Sequence, residues 1–144
     1  MMAININLIC YQSFQFQRQF TFLSCLSPLD LTGYGITFQV LTALGGTVLF
    51  QATVGSGITV DLATGTATVT LTPTQTAALV TTGLPVLTIT ESIKADCCGL
   101  VAPPPPSNDT QTAAVATCLL YLTDPGNNNL PPEFIGSFAI VEAP

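Results

Sequence analysis

The chain contains few residues that could do chemistry, and their spacing limits what that chemistry could be. It has no histidine. That removes the commonest general base, the Ser-His-Asp triad and the usual catalytic zinc set. The eight carboxylates are Asp30, Asp61, Glu91, Asp96, Asp109, Asp124, Glu133 and Glu142. They are scattered, and most fall in turns or near strand ends. A glycosidase needs two of them to converge on a sugar cleft lined by aromatics, whereas this chain has no Trp and only three Tyr. Gly55-Ser56-Gly57 has part of a nucleophile-elbow pattern, but it precedes a strand pattern instead of opening a helix, so it reads as a turn. The glycine-rich turns lack the Lys and the helix that complete a phosphate loop. Asp124, Asn127, Asn128 and Asn129 offer hard oxygen ligands of the kind calcium takes, in a spacing that does not match an EF-hand loop. The expectation from these side chains is a protein that is not an enzyme, with no catalytic residue, cofactor or metal.

The five cysteines are Cys10, Cys25, Cys97, Cys98 and Cys118. An odd count leaves at least one unpaired within a monomer. Adjacent Cys97 and Cys98 do not form a CxxC motif. Two readings stay open: buried, reduced thiols that act as small hydrophobes, or a bridge from Cys97 or Cys98 to Cys118 that closes the loop between them.

Composition narrows the partners. The chain has 144 residues, of which 48% are hydrophobic and 7% charged, with a net charge of −6; an average soluble domain is roughly 25% charged. Two basic residues cannot supply the phosphate contacts that nucleic-acid binding rests on, nor a polybasic membrane contact. No apolar run approaches the ~20 residues of a membrane helix. Met1–Cys10 lacks a basic n-region, and Asn5 and Asn7 interrupt it, which argues against a secretory signal. The surface must be built largely from Thr, Ser, Gln, Asn, Gly and Ala. Since the cores of protein interfaces are depleted in charge, the expectation is an assembly component, most simply a homo-oligomer. The plainer alternative is a Thr-rich β domain of low charge.

The elements that must position these residues are strands. Ile36, Phe38 and Val40 alternate with polar neighbours. So do Ile58, Val60 and Leu62, and again Ala67, Val69 and Leu71, while Val48, Phe50, Ala52 and Val54 form one face of a further strand. Gly45-Gly46 and Ala63-Thr64-Gly65 sit where hairpins need turns, so Asp30–Leu79 reads as a β-meander. Upstream, Met1–Ile9 alternates weakly and reads as an edge strand or an extended arm. Phe14, Phe16, Phe20 and Phe22 give a strand with one aromatic face, which Arg18 interrupts. Ser27–Asp30 reads as a turn. Thr72-Pro73-Thr74-Gln75 is a capping box with Pro at the first helical position, which predicts a short helix over Thr74–Thr81 stopped by Gly83. Pro85–Glu91, Ala114–Thr123 and Phe134–Val141 are further strands. Ser92–Ala113, with Pro103, Pro104, Pro105 and Pro106, reads as a long protruding loop, because consecutive prolines cannot pair inside a sheet. The sum is about eight strands and one helical turn, an all-β antiparallel sandwich or flattened barrel. It divides into residues 1–13 as arm or edge strand and 14–144 as one domain, with 92–113 inserted.

The order of these pieces carries a resemblance. An aromatic strand (Phe16 to Phe22) leads to Pro28-Leu29-Asp30-Leu31-Thr32-Gly33-Tyr34. Then follow Phe38-Gln39-Val40, Gly57-Ile58-Thr59-Val60 and the run Gly65 to Leu79. Leu122-Thr123-Asp124-Pro125-Gly126 and Gly136 to Val141 come last. This order resembles an immunoglobulin-like module of tailed-bacteriophage virion proteins, similar to the N-terminal module of phage baseplate upper proteins and to related short head and tail proteins. The likeness spans about Phe14 to Val141 and is most specific over Asp30–Leu79. Two features depart from it. Thr, Leu and Ala stand where charged residues are usual, and the segment between Leu79 and Leu122 is longer. The family has no catalytic residues to carry over. The resemblance implies an immunoglobulin-like sandwich acting as a structural protein of the virion, with phage capsid or tail proteins as partners. A single module with a neutral surface favours a capsid decoration, or cement, protein. In that role Met1–Ile9 (Met1, Ile4, Ile6 and Leu8) and the prolines 103–106 would be contact arms. A baseplate or tail-fibre component is the alternative. A small carbohydrate-binding sandwich is a third reading.

Overall fold

Alternation of buried and exposed positions divides the described residues into eleven strands and one helical turn. They are β1 (Ile4–Tyr11), β2 (Phe16–Thr21), β3 (Leu23–Ser24), β4 (Ser27–Pro28), β5 (Gly35–Leu41), β6 (Val48–Val54), β7 (Gly57–Asp61), β8 (Thr66–Leu71), α1 (Pro73–Ala77), β9 (Val86–Thr90), β10 (Thr110–Thr123) and β11 (Phe134–Val141). The structure, a computed structural model, describes residues 4–90 and 110–142. No helix among them is long and apolar enough to cross a membrane.

The strands run in the order β1-β11-β10-β5-β6-β7-β8-β2, with β9 paired beside β10. The sheet folds over on itself, so the two ends of this path meet face to face. Phe16 of β2 packs edge-on against Phe138 of β11, ring centres 5.2 Å apart. Phe20 meets Phe134 at 4.9 Å and Phe38 at 6.3 Å. The result is an all-β, sandwich-like fold. Its main layer is β1, β11, β10, β9, β5 and β6; its second layer is β7, β8 and β2. The core between them holds Ile36, Phe38 and Val40 from one layer and Ile58, Val69 and Leu71 from the other. Each close aromatic pair adds about 0.5–1.5 kcal/mol beyond the area it buries, so the phenylalanines fix how the layers face.

The helical turn closes one end of this core. Thr72 caps it: the Gln75 amide donates to the Thr72 hydroxyl, and the Gln75 side chain accepts from the Thr72 amide at 2.9 Å. Thr76 is fully buried, its hydroxyl held between the carbonyls of Phe14 at 2.8 Å and Pro73 at 3.0 Å. Leu79 is buried beside it, whereas Val80 is exposed. The turn ends at Ala77, short of the expected Thr81.

Five expectations need correction. The sheet is not wholly antiparallel: β1 runs parallel to β11, and β6 to β7 over two residue pairs. The second of these is a corner. Thr53 and Ser56 exchange hydrogen bonds across Val54-Gly55, and the Gly55 amide donates to Ile58, turning the chain from the main layer into the second. Asp30–Leu79 is therefore two hairpins joined at a corner, not a meander. Phe14 does not continue the aromatic face. A turn in which its amide donates to Tyr11, with Ser13 at φ 67°, leaves it 56% exposed. Ser27–Asp30 is not only a turn, since β3 and β4 form a two-rung hairpin whose tip is Cys25 and Leu26, both at positive φ. Finally, the strand expected from Ala114 begins at Thr110. Residues 110–113 pair with β9, and Ala113 also pairs with Val141. The segment expected as a loop over 92–113 therefore ends by 109, and its remainder lies outside the described residues.

Candidate interaction surface

The main layer has two faces, and among the described residues the second layer packs on one; on the other, Ala113, Val141, Leu41, Ala139 and Leu119 are buried and their neighbours are partly exposed. Facing the core are Leu8 and Cys10 of β1, Phe134, Phe138 and Ile140 of β11, Cys118, Leu120 and Leu122 of β10, and Phe38 and Val40 of β5. Their neighbours in sequence point the other way. The strand register sets these outward residues in rows. Tyr11, Val141, Ala113 and Leu87 lie side by side, as do Ile9, Ala139 and Val115. Next come Asn7, Ser137, Thr117, Leu41 and Val48, then Asn5, Ile135, Leu119, Gln39 and Gln51. The face is apolar across most of its width. Ala113, Ala139 and Val141 form a small cluster separate from the core. Around them Ile9, Tyr11, Val48 and Leu87 keep between 42% and 53% of their surface exposed.

The polar groups on this face mostly satisfy one another. The Ser137 hydroxyl donates to the Asn7 side-chain carbonyl at 2.7 Å, and the Gln39 amide group donates to Gln51 at 2.9 Å. No residue of β1, β5, β6, β9, β10 or β11 is charged on either face; among all the strands only Arg18 of β2 and Asp61 of β7 are. Ile9, Tyr11, Val48 and Leu87 therefore lie partly exposed on a face whose strands carry no charge.

The carboxylates lie elsewhere. Asp30, Asp124 and Glu133 occupy turns, and Asp61 the last position of β7, at the end of the sandwich where β5, β8 and β11 begin. There they close loops. The Thr32 hydroxyl and amide both donate to Asp30, at 2.6 and 3.0 Å, which lowers the Asp30 pKa. The Asn128 amide donates to Asp124 at 2.9 Å, and its side chain adds a second bond at 3.2 Å; these lower the Asp124 pKa. Asp124–Asn129 thus acts as a self-bonded turn. No group of three or more Cys, Asp or Glu converges as a metal site among the described residues. Gly55-Ser56-Gly57 is the layer-changing corner. A pocket of about 400 Å³ at the acidic end is lined mainly by Ile4, Phe22, Leu23, Leu29 and Phe134, with Glu133 at its wall.

The residues expected to make contacts divide. Met1, Cys97, Cys98 and the prolines 103–106 lie outside the described residues. Ile4 is 59% exposed at the acidic end. Ile6 packs against the core and Leu8 is buried within it. The arm expectation is corrected here: over Ile4–Tyr11 the chain is an edge strand of its own sheet, and Leu8 is not available to a neighbour. Of the two readings left open for the cysteines, Cys118 follows the first, a buried and reduced thiol. It is a free, buried thiol whose sulfur lies 3.7 Å from the Ser137 carbonyl, in the middle of β10 on the core side. Burial raises its pKa to about 12 and that of Cys10 to about 11, so both stay protonated and inert at neutral pH. Cys25 is the exposed thiol among the described residues.

The outward residues of the main layer were not among the expected contacts. Their signal was present in Ala114–Thr123, which is apolar at nearly every position. A strand of that kind is covered on both faces, and here the second layer covers one. No protein-family model matches this chain, and no curated protein matches it in sequence.

Proposed function

We propose that this chain is a non-enzymatic structural subunit of a tailed-phage virion, decorating the capsid as a cement protein. The observation that carries the reading is the outer face of the main layer, which is broad, apolar and without a charged residue. A subunit that bridges shell proteins needs such a face. Its contacts are made by excluding water from apolar surface, and they hold where charge pairs would be screened. The described carboxylates, mostly grouped in turns at one end, leave that face free of repulsion against an acidic neighbour. The order of turns and strands over Asp30–Leu79 resembles phage virion modules and gives the reading its setting.

Stoichiometry tests it. Quantitative mass spectrometry of purified particles should find the protein in many copies, in proportion to the capsomers. Added to stripped heads, the purified protein should rebind and resist elution by high salt. A few copies per particle would move it to the baseplate or tail fibre. Absence from particles would remove the virion reading altogether.

A further inference from the structure

Among the described residues the first strand leaves one edge of the main layer open, and the hydrogen-bond pattern shows which groups face out. β1 lies parallel to β11, with Ile4 opposite Phe134 and Tyr11 opposite Val141. The Ile4 amide donates to Glu133 and the Gln12 amide to Val141, each at 2.9 Å. In a parallel ladder, alternate residues turn both backbone groups to the same neighbour. Ile4, Ile6, Leu8 and Cys10 therefore bond to β11. Asn5, Asn7, Ile9 and Tyr11 turn N–H and C=O toward the free side, where no described strand pairs.

The strand at the other end of the order, β2, shows what a guarded edge looks like. Its register places Arg18 opposite Val69, on the inward side between Phe16 and Phe20. An inward-placed charge is one of the devices that stop an edge from pairing. Among the described residues β1 has none of them. Its register is unbroken over eight residues, and the strand contains no Pro, Lys, Arg, Asp or Glu.

We infer that β1 pairs antiparallel with β1 of a second copy, joining two main layers into one continuous sheet. A second copy offers the same open edge, and because β1 is neutral along its length it meets itself without a charge penalty. Twofold symmetry opposes a strand to itself, and the outward-facing residues must then oppose each other. A register centred on Leu8 does this, setting Asn7 against Ile9 and Asn5 against Tyr11 of the second copy. It also keeps inner residues beside inner residues, so the apolar outer faces become contiguous. The inference stands on the strand alone and does not need the virion reading.

Ile9→Pro tests it in the full-length protein. The Ile9 amide points to the free side, so proline there removes a bond to the second copy and none to β11, and an edge position tolerates it. Sedimentation should show wild type as a dimer and Ile9→Pro as a folded monomer with unchanged circular dichroism. Hydrogen exchange on wild type keeps the test independent of the variant's folding: the amides of Asn5, Asn7, Ile9 and Tyr11 should be protected in the dimer. A wild-type monomer in which these amides exchange freely overturns the proposal. So does a monomer in which they are protected, since another stretch of the same chain would then hold the edge. A dimer that survives Ile9→Pro with its exchange pattern intact also overturns it.

Discussion

The two faces of the main layer are made from the same strands and nearly the same residue types, yet they meet different fates. On the inner face of β10, Cys118, Leu120 and Leu122 are sealed by the second layer and its phenylalanines. One residue away on the same strand, Val115 and Tyr121 face outward and remain partly exposed. Apolar alternation normally tells the core from the solvent side. In this protein it does not, because both faces are apolar and the second layer packs on only one of them. Among the described residues the difference leaves apolar side chains such as Ile9, Tyr11, Val48 and Leu87 about half exposed on the other face.

Changes on the inner face should be the most damaging. Phe138 is fully buried and touches the rings of both Phe16 and Phe38, so Phe138→Ala should cost about 3–5 kcal/mol in denaturant unfolding. Loss of a cap is smaller. Thr72→Ala removes the hydroxyl that holds the Gln75 amide, and should cost about 1 kcal/mol while leaving the sheet intact. The inner thiols sharpen the contrast through pH. Burial raises Cys10 and Cys118 from 9.0 to about 11 and about 12. A raised pKa means that the folded state holds the proton more tightly, so their contribution is complete below pH 9 and declines as pH rises toward the folded values. Stability should therefore fall on the alkaline side, and Cys118→Ala should flatten that fall. The smallest effect belongs to the outer face. Val115→Thr should change the stability of the isolated chain by no more than about 0.5 kcal/mol, yet weaken attachment to particles. If it proved as costly as Phe138→Ala, the outer face would be part of the chain's own core and the contrast would collapse.

How much of this could be read in the sequence depends on how local the cause is. The strand faces of Ile36–Val40 and Ala67–Leu71 were legible because alternation is a two-residue property. The Thr72–Gln75 cap was legible because all its partners lie within one turn. The pairing of β1 with β11 was not, since Ile4 and Phe134 are joined only through tertiary structure and nothing in Ile4–Tyr11 names its partner. Gly136 is a faint trace of it. A Cβ there would run into the Ile6 backbone, so the close approach of β1 requires glycine. Gly55-Ser56-Gly57 was legible as a turn but not as a change of layer, because that depends on which sheet receives the next strand. The outer face was half legible: the apolar run of β10 announces two covered faces, but the sequence does not say which of them the second layer packs on.

The central claim is that the uncharged outer face of β1, β11 and β10 is an interface. A reconstruction of the intact particle, with this protein located in it, tests that most directly. The account predicts that the face bearing Ile9, Val115 and Ile135 lies against a neighbouring subunit while the turns of Asp30 and Asp124 point to solvent. A protein seated by its acidic end, with that face bare to water, would contradict it.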